Sequence, residues 1–403
     1  MRDGWTEAPL AAVATRVTEK NRNLLDKVFT VSAEYGLIDQ ETFFNKRVAS
    51  KNLLGYTVVQ PGMLVYNKSY SVTAPYGVIT RNHHEHPGVV SPLYLVFSPQ
   101  EDKVLGTYLE LAANSAIFFN SLKKSIKEGG RAHGGITISL TDFFGSEIPL
   151  APIAEQRRIV DVVSSVDAYI DALQQHVDTA RTARNAVLHE LLTAGGDDWT
   201  ETTLGDIAEL ISRGRAPSYC EEDGVVVLNQ KCIRNGRIHF EFARLTNNTK
   251  KAVPEWAYLK VGDSLINSTG VGTLGRASFV SQINSPTTFD SHVTLVRPLP
   301  ESCFASFIGL SLNFRENEIE MFAGGSTGQT ELSREAVSSF PVTLPPIAEQ
   351  KRIVEIVSSM DDVIEAAEGG VVEAKNLRSG LLSDLLSGEH EIPVSYDQLL
   401  GAA

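Results

Sequence analysis

Three groups of residues have types and spacings that could do chemistry. Gly270-Val271-Gly272-Thr273-Leu274-Gly275 is a literal G-x-G-x-x-G, the spacing that lets a following helix N-terminus hold a pyrophosphate. The next residues, Arg276-Ala277-Ser278-Phe279-Val280, read as a strand. A dinucleotide site needs a helix there, so a tight hairpin is the expectation. His83-His84-x-His86 offers metal-ligand types but stands beside Pro87-Gly88, with no carboxylate or cysteine at useful spacing. That predicts a solvated loop. Neither a G-x-x-x-x-G-K-[ST] phosphate loop, nor an aromatic-tipped Asn-Pro-Pro tetrad for amino methylation, nor a Pro-Asp with a trailing Glu-x-Lys for metal-dependent cleavage occurs in the chain.

The third group suits phosphates and base edges. Lys123, Lys124 and Lys127 fall on one helical face ahead of Gly129-Gly130 and Arg131, and Lys46, Arg47, Lys68 and Arg81 read as loop residues. Further on, Arg213, Arg215, Lys231, Arg234, Arg237, Lys250, Lys251 and Arg276 are interleaved with Asn229, Gln230, Asn235 and Asn248. Such amides can make bidentate contacts to bases. The net charge of −13 opposes phosphate binding at first sight, yet residues 151–200 and 341–403 carry −4 and −7 of it. The large segments 1–150 and 201–340 stand at +1 and −3. Phosphate contact by those two segments is therefore permitted.

The elements that must position these residues come in duplicate. Pro152-Ile153-Ala154-Glu155-Gln156-Arg157-Arg158-Ile159-Val160 returns 194 residues later as Pro346-Ile347-Ala348-Glu349-Gln350-Lys351-Arg352-Ile353-Val354, and Trp5-Thr6 returns as Trp199-Thr200. The chain is two copies of one plan. Each repeated segment has a heptad stripe: Ile159, Val163, Val166, Ile170, Leu173, Val177, Ala180, Val187 and Leu191, then Ile353, Val357, Met360, Ile364, Ala367, Val371, Ala374, Leu381 and Leu385. Arg184 and Arg378 interrupt the stripes at matching places. Proline at the start and Gly195 or Gly388 at the stop bound helices of about 38 residues, roughly 57 Å at 1.5 Å per residue. Each stripe needs a partner, and the copy in the same chain is held at high effective concentration. An antiparallel pair forming a rod, with a kink or frayed turn at Gly369-Gly370, is expected.

The intervening segments read as mixed. Tyr56–Val59, Met63–Tyr66 and Tyr94–Phe97 have strand character before a helix from about Gly106 to Lys127, and Tyr258–Lys260, Ser264–Ile266 and Val293–Val296 precede a helix from about Phe304 to Phe322. The fold expected is α+β: two mixed α/β domains separated by two long antiparallel coiled-coil helices, with an internal pseudo-twofold repeat. The divisions are 1–150, 151–196, 197–344, 345–390 and a tail, 391–403. At 403 residues more than one core is expected. No apolar run approaches the ~18 residues of a membrane span, and Cys220, Cys232 and Cys303 form no C-x-x-C pair. A soluble, cytoplasmic chain with reduced cysteines and no membrane partner is the expectation.

This plan, with its Ile153-Ala154-Glu155-Gln156 and Ile347-Ala348-Glu349-Gln350 helix starts, resembles the DNA-specificity subunit of type I restriction–modification systems. Asn267-Ser268-Thr269-Gly270, Ser291-His292-Val293 and Gly325-Ser326-Thr327-Gly328-Gln329 resemble stretches of that family's target-recognition domains, and the likeness covers essentially the whole chain. It implies that 1–150 and 197–344 each read one half of a split, asymmetric double-stranded DNA target, while the helices set the gap and dock two methyltransferase subunits. It implies restriction or translocase subunits as further partners. S-adenosylmethionine and ATP would belong to those partners, leaving no cofactor, metal or catalytic residue here. On this reading the DNA-binding candidates are Lys46, Arg47, Lys68, Arg81, Lys123, Lys124, Lys127, Arg131, Arg213, Arg215, Lys231, Arg234, Arg276 and Gln329. The rival readings are a DNA methyltransferase with an unrecognised active site and a coiled-coil scaffold without DNA affinity.

Overall fold

Two helices of 41 residues, Ile153–Thr193 and Ile347–Ser387, dominate the computed structural model, which describes residues 4–22, 24–32, 35–45, 49–69, 74–125, 138–323 and 331–400. Each helix opens just after a proline whose carbonyl accepts two amide hydrogens, those of Glu155 and Gln156 on Pro152 and those of Glu349 and Gln350 on Pro346. Each is followed, within two residues, by a glycine in the left-handed region, Gly195 at φ 66° and Gly388 at φ 72°, a conformation that stops a helix without Cβ strain. The second helix runs without interruption through Gly369-Gly370, so the frayed turn expected there does not form. A Cβ at either glycine would meet nothing within 4 Å, which makes them a matter of propensity and not of close approach.

Contacts cluster the chain into two units, residues 1–174 with 369–403 and residues 175–368. Each long helix gives one half of itself to each unit. In the first unit Ile159 and Val163, near the start of one helix, share a core with Leu385 and Leu386 at the end of the other. In the second, Leu188 near the end of the first helix shares a core with Ile353 and Val357. The helices are therefore antiparallel in both. The stripe interruptions have partners: Arg184 forks onto Asp361 at 3.0 and 3.0 Å within the second unit, and Arg378 forks onto Asp167 at 2.6 and 2.9 Å within the first. Both carboxylates are 194 residues apart, as are both arginines, so one cross-helix ion pair is made twice.

The mixed segments share a strand order. In the first unit Ala14–Val17, Leu95–Pro99, Leu64–Asn67 and Val78–Arg81 form a four-stranded antiparallel sheet in that sequence. Ala208–Arg213, Val293–Pro298, Ser264–Asn267 and Ala277–Phe279 repeat it in the second. Along the central strand side chains alternate between two cores. Leu64 and Tyr66 face the core shared with the helices while Val65 faces the core with Phe29, Val59 and Val90, and Ile266 and Leu265 divide likewise. This two-sided burial is why such strands read as continuous apolar runs. A two-stranded ribbon ties each unit to its helix start, Thr6–Pro9 with Glu147–Leu150 and Thr200–Thr203 with Pro341–Leu344.

Three local expectations are corrected. The helix expected over 106–127 is broken into Gly106–Ala113 and Ala116–Lys123. Ser115 accepts from the Phe118 amide to cap the second piece, and Asn114 turns aside to bond the Ile79 backbone. Its counterpart divides at Arg315 into Ala305–Phe314 and Glu316–Met321. Tyr258–Lys260 is not a strand, since it leaves a 3-10 turn at Glu255–Ala257.

Candidate nucleic-acid interface

The unit of residues 175–368 gathers several chain reversals at one edge. Strand Ala208–Arg213 ends with Arg213 opposite Thr294, Ser264–Asn267 ends with Asn267 opposite Val293, and Ala277 opens the next strand opposite Ile266. The parallel pair Val225–Leu228 and Thr287–Phe289 ends at the same edge, where the Asp290 amide donates to the Leu228 carbonyl. Gly214 packs against the Asp290 carbonyl so closely that a Cβ would clash, which lets the loops at 214–217, 229–232, 268–276 and 290–292 meet.

These loops are wired to one another. The Ser268 amide donates to the His292 carbonyl at 2.8 Å and the Leu332 amide to the Ser268 carbonyl at 2.9 Å. Below them the hydroxyls of Ser268 and Thr294 are bonded. Thr269 Oγ1 lies 2.7 Å from His292 Nδ1, and Asn267 Nδ2 donates to the Gln230 carbonyl at 3.0 Å. Asn267 Oδ1 is buried without a partner among the described residues. Arg213 donates from Nε to the Ser291 carbonyl at 2.6 Å and pairs with Glu331, and burial lowers its pKa. Burial raises the Asp290 carboxyl, although the His292 amide and ring oppose the shift. The stretch 270–275 is a turn between antiparallel strands, with Gly270, Gly272 and Gly275 all at positive φ. It is a hairpin, as its sequel in the sequence requires, and Arg276 Nη2 fastens it through the Gly272 carbonyl at 2.7 Å.

Arg215 and Lys231 stand exposed on these loops, Arg215 lying 5.8 Å from the Trp256 ring centroid. Thus the Thr269 hydroxyl and the His292 imidazole lie on a fixed frame that also carries exposed cations, the combination that can meet base edges and phosphates together. Other candidates are placed differently. Arg234 and Arg237 flank a two-residue Asn235-Gly236 turn in which Asn235 takes φ 51°. Arg234 covers the Phe242 ring at 5.0 Å, and Arg237 pairs with Glu365 of the second long helix at 3.1 Å. Asn229 donates to the Phe242 carbonyl and Asn248 accepts from the Val253 amide, so two of the amides interleaved with the cations hold backbone. Lys251 donates to the Ala216 carbonyl.

In the first unit Lys68 follows Asn67, at the strand end that corresponds to Asn267. Phe119 of the helix Ala116–Lys123 stacks on Tyr76 at 5.8 Å, two residues before the strand that opens opposite Asn67. Lys123 ends that helix and Lys124 caps it, both exposed. Arg81 is corrected from a loop residue to a strand residue, opposite Leu64 and so at the far end of the strand pair from Lys68. Its amide donates to Glu110 at 2.8 Å and its Nε is buried without a partner among the described residues. Lys46, Arg47, Lys127, Arg131 and Gln329 lie outside the described residues, as do Gly129-Gly130 and Gly325–Gln329.

The histidine group makes no metal cluster, and none exists among the described residues. His83 finds a carboxylate the sequence did not suggest, Glu110 at 2.9 Å, while His84 is half-buried and stacks on Phe29 at 4.8 Å. The solvated-loop reading therefore holds for His83 and His86 only. Reasoning from basic residues passed over Thr269 and His292 as side chains, and Arg244, whose guanidinium covers Tyr219 at 3.5 Å. Only the short motifs around residues 267 and 292 pointed to the first two.

Comparison with known proteins gives these sites a context. Residues 196–373 match the family model of the type I restriction modification DNA specificity domain. A Methanocaldococcus jannaschii protein described as the specificity subunit of the type I restriction enzyme MjaX is 24% identical over 316 residues, 73% of this chain and 70% of that protein. The MjaVIII specificity subunit of the same organism is 22% identical over 291 residues, 66% of this chain and 67% of its own length. A solved chain from a study of complex assembly and conformational transition in the type I R-M system matches 96% of this chain and 98% of its own length, with a TM-score of 0.58 at 17% identity. The type I restriction–modification S subunit of M. genitalium matches 96% and 97%, with a TM-score of 0.52 at 13% identity. The likeness read from the duplicated helix starts is shown by these relatives, and the solved structures share the fold.

Proposed function

We infer that this chain, whose residues 196–373 match the type I restriction modification DNA specificity domain, is the sequence-reading subunit of a type I restriction–modification complex. Each unit presents one edge of loops to one half of a bipartite DNA target. Reaction chemistry belongs to partner subunits: methyltransferases that bring S-adenosylmethionine, and restriction or translocase subunits that use ATP. The reading is of a cytoplasmic protein that holds no cofactor of its own. No helix among the described residues is long and apolar enough to cross a membrane. The observation that carries the reading is the same strand order in both units, ending on loops of different residues: Asn67-Lys68-Ser69 in one and Asn267-Ser268-Thr269 in the other. A shared frame with divergent tips is what two readers of different half-sites need.

Replacing residues 5–150 with the corresponding segment of another specificity subunit tests this in the assembled complex. Mapping methylated positions should show one half of the target changed and the other kept. A change in both halves would overturn independent readers. Tight binding of S-adenosylmethionine by the isolated chain would favour a methyltransferase, and salt-insensitive or absent DNA binding would favour a scaffold.

A further inference from the structure

The two helix starts are nearly identical in sequence but differ in what covers them. In the first unit the tail after the second long helix folds back on the start of the first. Ile392 enters the core of Trp5, Leu385 and Leu386, and its carbonyl accepts from Arg158 Nη1 at 3.2 Å. A 3-10 turn at Val394–Tyr396 then presents two polar groups. Asp397 takes the Arg158 guanidinium in a fork at 2.7 and 2.9 Å, and Tyr396 Oη donates to Asp161 at 2.6 Å. Arg158 is left with 8% of its side chain exposed.

The second unit repeats the residues of this socket, and among the described residues no tail covers them. The residues 194 positions on from Arg158 and Asp161 are Arg352 and Glu355, and those 194 positions back from Leu385 and Leu386 are Leu191 and Leu192; Trp199 answers to Trp5. Arg352 is 59% exposed, bonded to Glu349 on its own helix. Glu355 is exposed, while Leu191, Leu192 and Trp199 are half-buried where their counterparts are buried. The chain therefore displays one socket filled and its twin open.

We propose that the socket of Leu191, Leu192, Trp199, Arg352 and Glu355 is a docking surface for a segment of a partner polypeptide with the chemistry of the tail: an aliphatic residue followed, four and five positions on, by a tyrosine and a carboxylate. The argument is that this chemistry already satisfies the twin. The aliphatic side chain covers the leucine pair and the tryptophan, the carboxylate forks onto the arginine, and the phenol donates to the carboxylate one turn further along the helix. A partner is favoured over the tail of a second copy because each copy's tail is held in its own first socket. The inference rests on the reading of this chain as one subunit of a complex.

A synthetic peptide of residues 388–400 serves as the probe, titrated into the full chain and followed by calorimetry. The full chain should bind one equivalent, and a chain ending at Ser387 should bind two. Arg352→Glu should weaken the site on the full chain by roughly tenfold or more, the loss expected for a charge-assisted fork. If removal of the tail prevents folding, Asp397→Lys releases it instead and should also open a second site. A full chain that binds no peptide, or binds it unchanged after Arg352→Glu, overturns the proposal. Arg352 lies outside the loop edges, so failure of the socket with DNA binding intact leaves the DNA-reading assignment standing.

Discussion

At the residue scale, charge in this chain serves two ends. Arg213 and Arg276 stiffen loops through backbone carbonyls, whereas Lys123 and Lys124 are exposed at a helix end. Changing Lys123, Lys124 and Lys127 to Gln is expected to weaken binding to all DNA sequences alike and to flatten the salt dependence by roughly 0.9 per lost phosphate contact. Base preference should be kept. Lost affinity with the original salt slope would assign those lysines a structural part. The Asp397 carboxyl behaves differently. Its bond to Arg158, the largest cause, holds its pKa below the ordinary value. A carboxyl more acidic folded than unfolded stabilises the docked tail above the ordinary carboxylate range and loses that stabilisation as pH falls through its folded value. Amides around 392–397 should thus lose protection from hydrogen exchange at the acidic end, relative to intrinsic rates. In Asp397→Asn the same amides should be weakly protected at every pH; a pH profile identical to that of the parent chain would show that another group controls the tail.

At the element scale, legibility followed the range of the interaction. Short apolar runs bounded by turn residues placed strands such as Leu64–Asn67, heptad stripes placed both long helices, and the residues after Gly275 excluded a dinucleotide site. Patterns of that kind are local. The split at Asn114-Ser115 is not legible in the sequence, because the asparagine that turns aside there bonds Ile79, 35 residues away. The repeated glutamine is visible in the sequence as a signature, and its role is not. Gln156 and Gln350 are buried, and their Oε1 atoms accept from the Leu105 and Phe304 amides at 2.8 Å while Nε2 donates to carbonyls ahead of the helix. Such a latch exists only in the fold. Arg184 and Arg378 were visible as defects in the stripe, and their carboxylate partners were not. Removing the Asp361 carboxylate strands an Arg184 side chain that is 15% exposed, so Asp361→Ala should cost about 1–3 kcal/mol in denaturant unfolding. Replacing Arg184 and Asp361 together with leucine should restore most of it. A double variant as weak as the single one would mean that the pair, and not apolar filling, holds this stretch of the coil.

At the scale of the whole molecule, the repeat allows a test of what the long helices measure. If both loop edges read one DNA and the antiparallel helices set the distance between their half-sites, helix length fixes the unread gap, and neither reader does. Deleting one heptad from each helix, residues 170–176 with the facing heptad of the second copy, preserves both apolar stripes in register. Each helix becomes shorter by roughly 10 Å at 1.5 Å per residue. On duplex DNA at about 3.4 Å per base pair this corresponds to a gap about three base pairs shorter. Duplex twist opposes the change, because three base pairs also turn one half-site by nearly a third of a helical turn at about 10.5 base pairs per turn. Two outcomes agree with a ruler: methylation at a target with the shortened gap, or loss of specific binding by the whole chain while separately expressed recognition segments keep their half-site preferences. Undiminished recognition of the original gap by the shortened protein would show that the coil does not set the spacing.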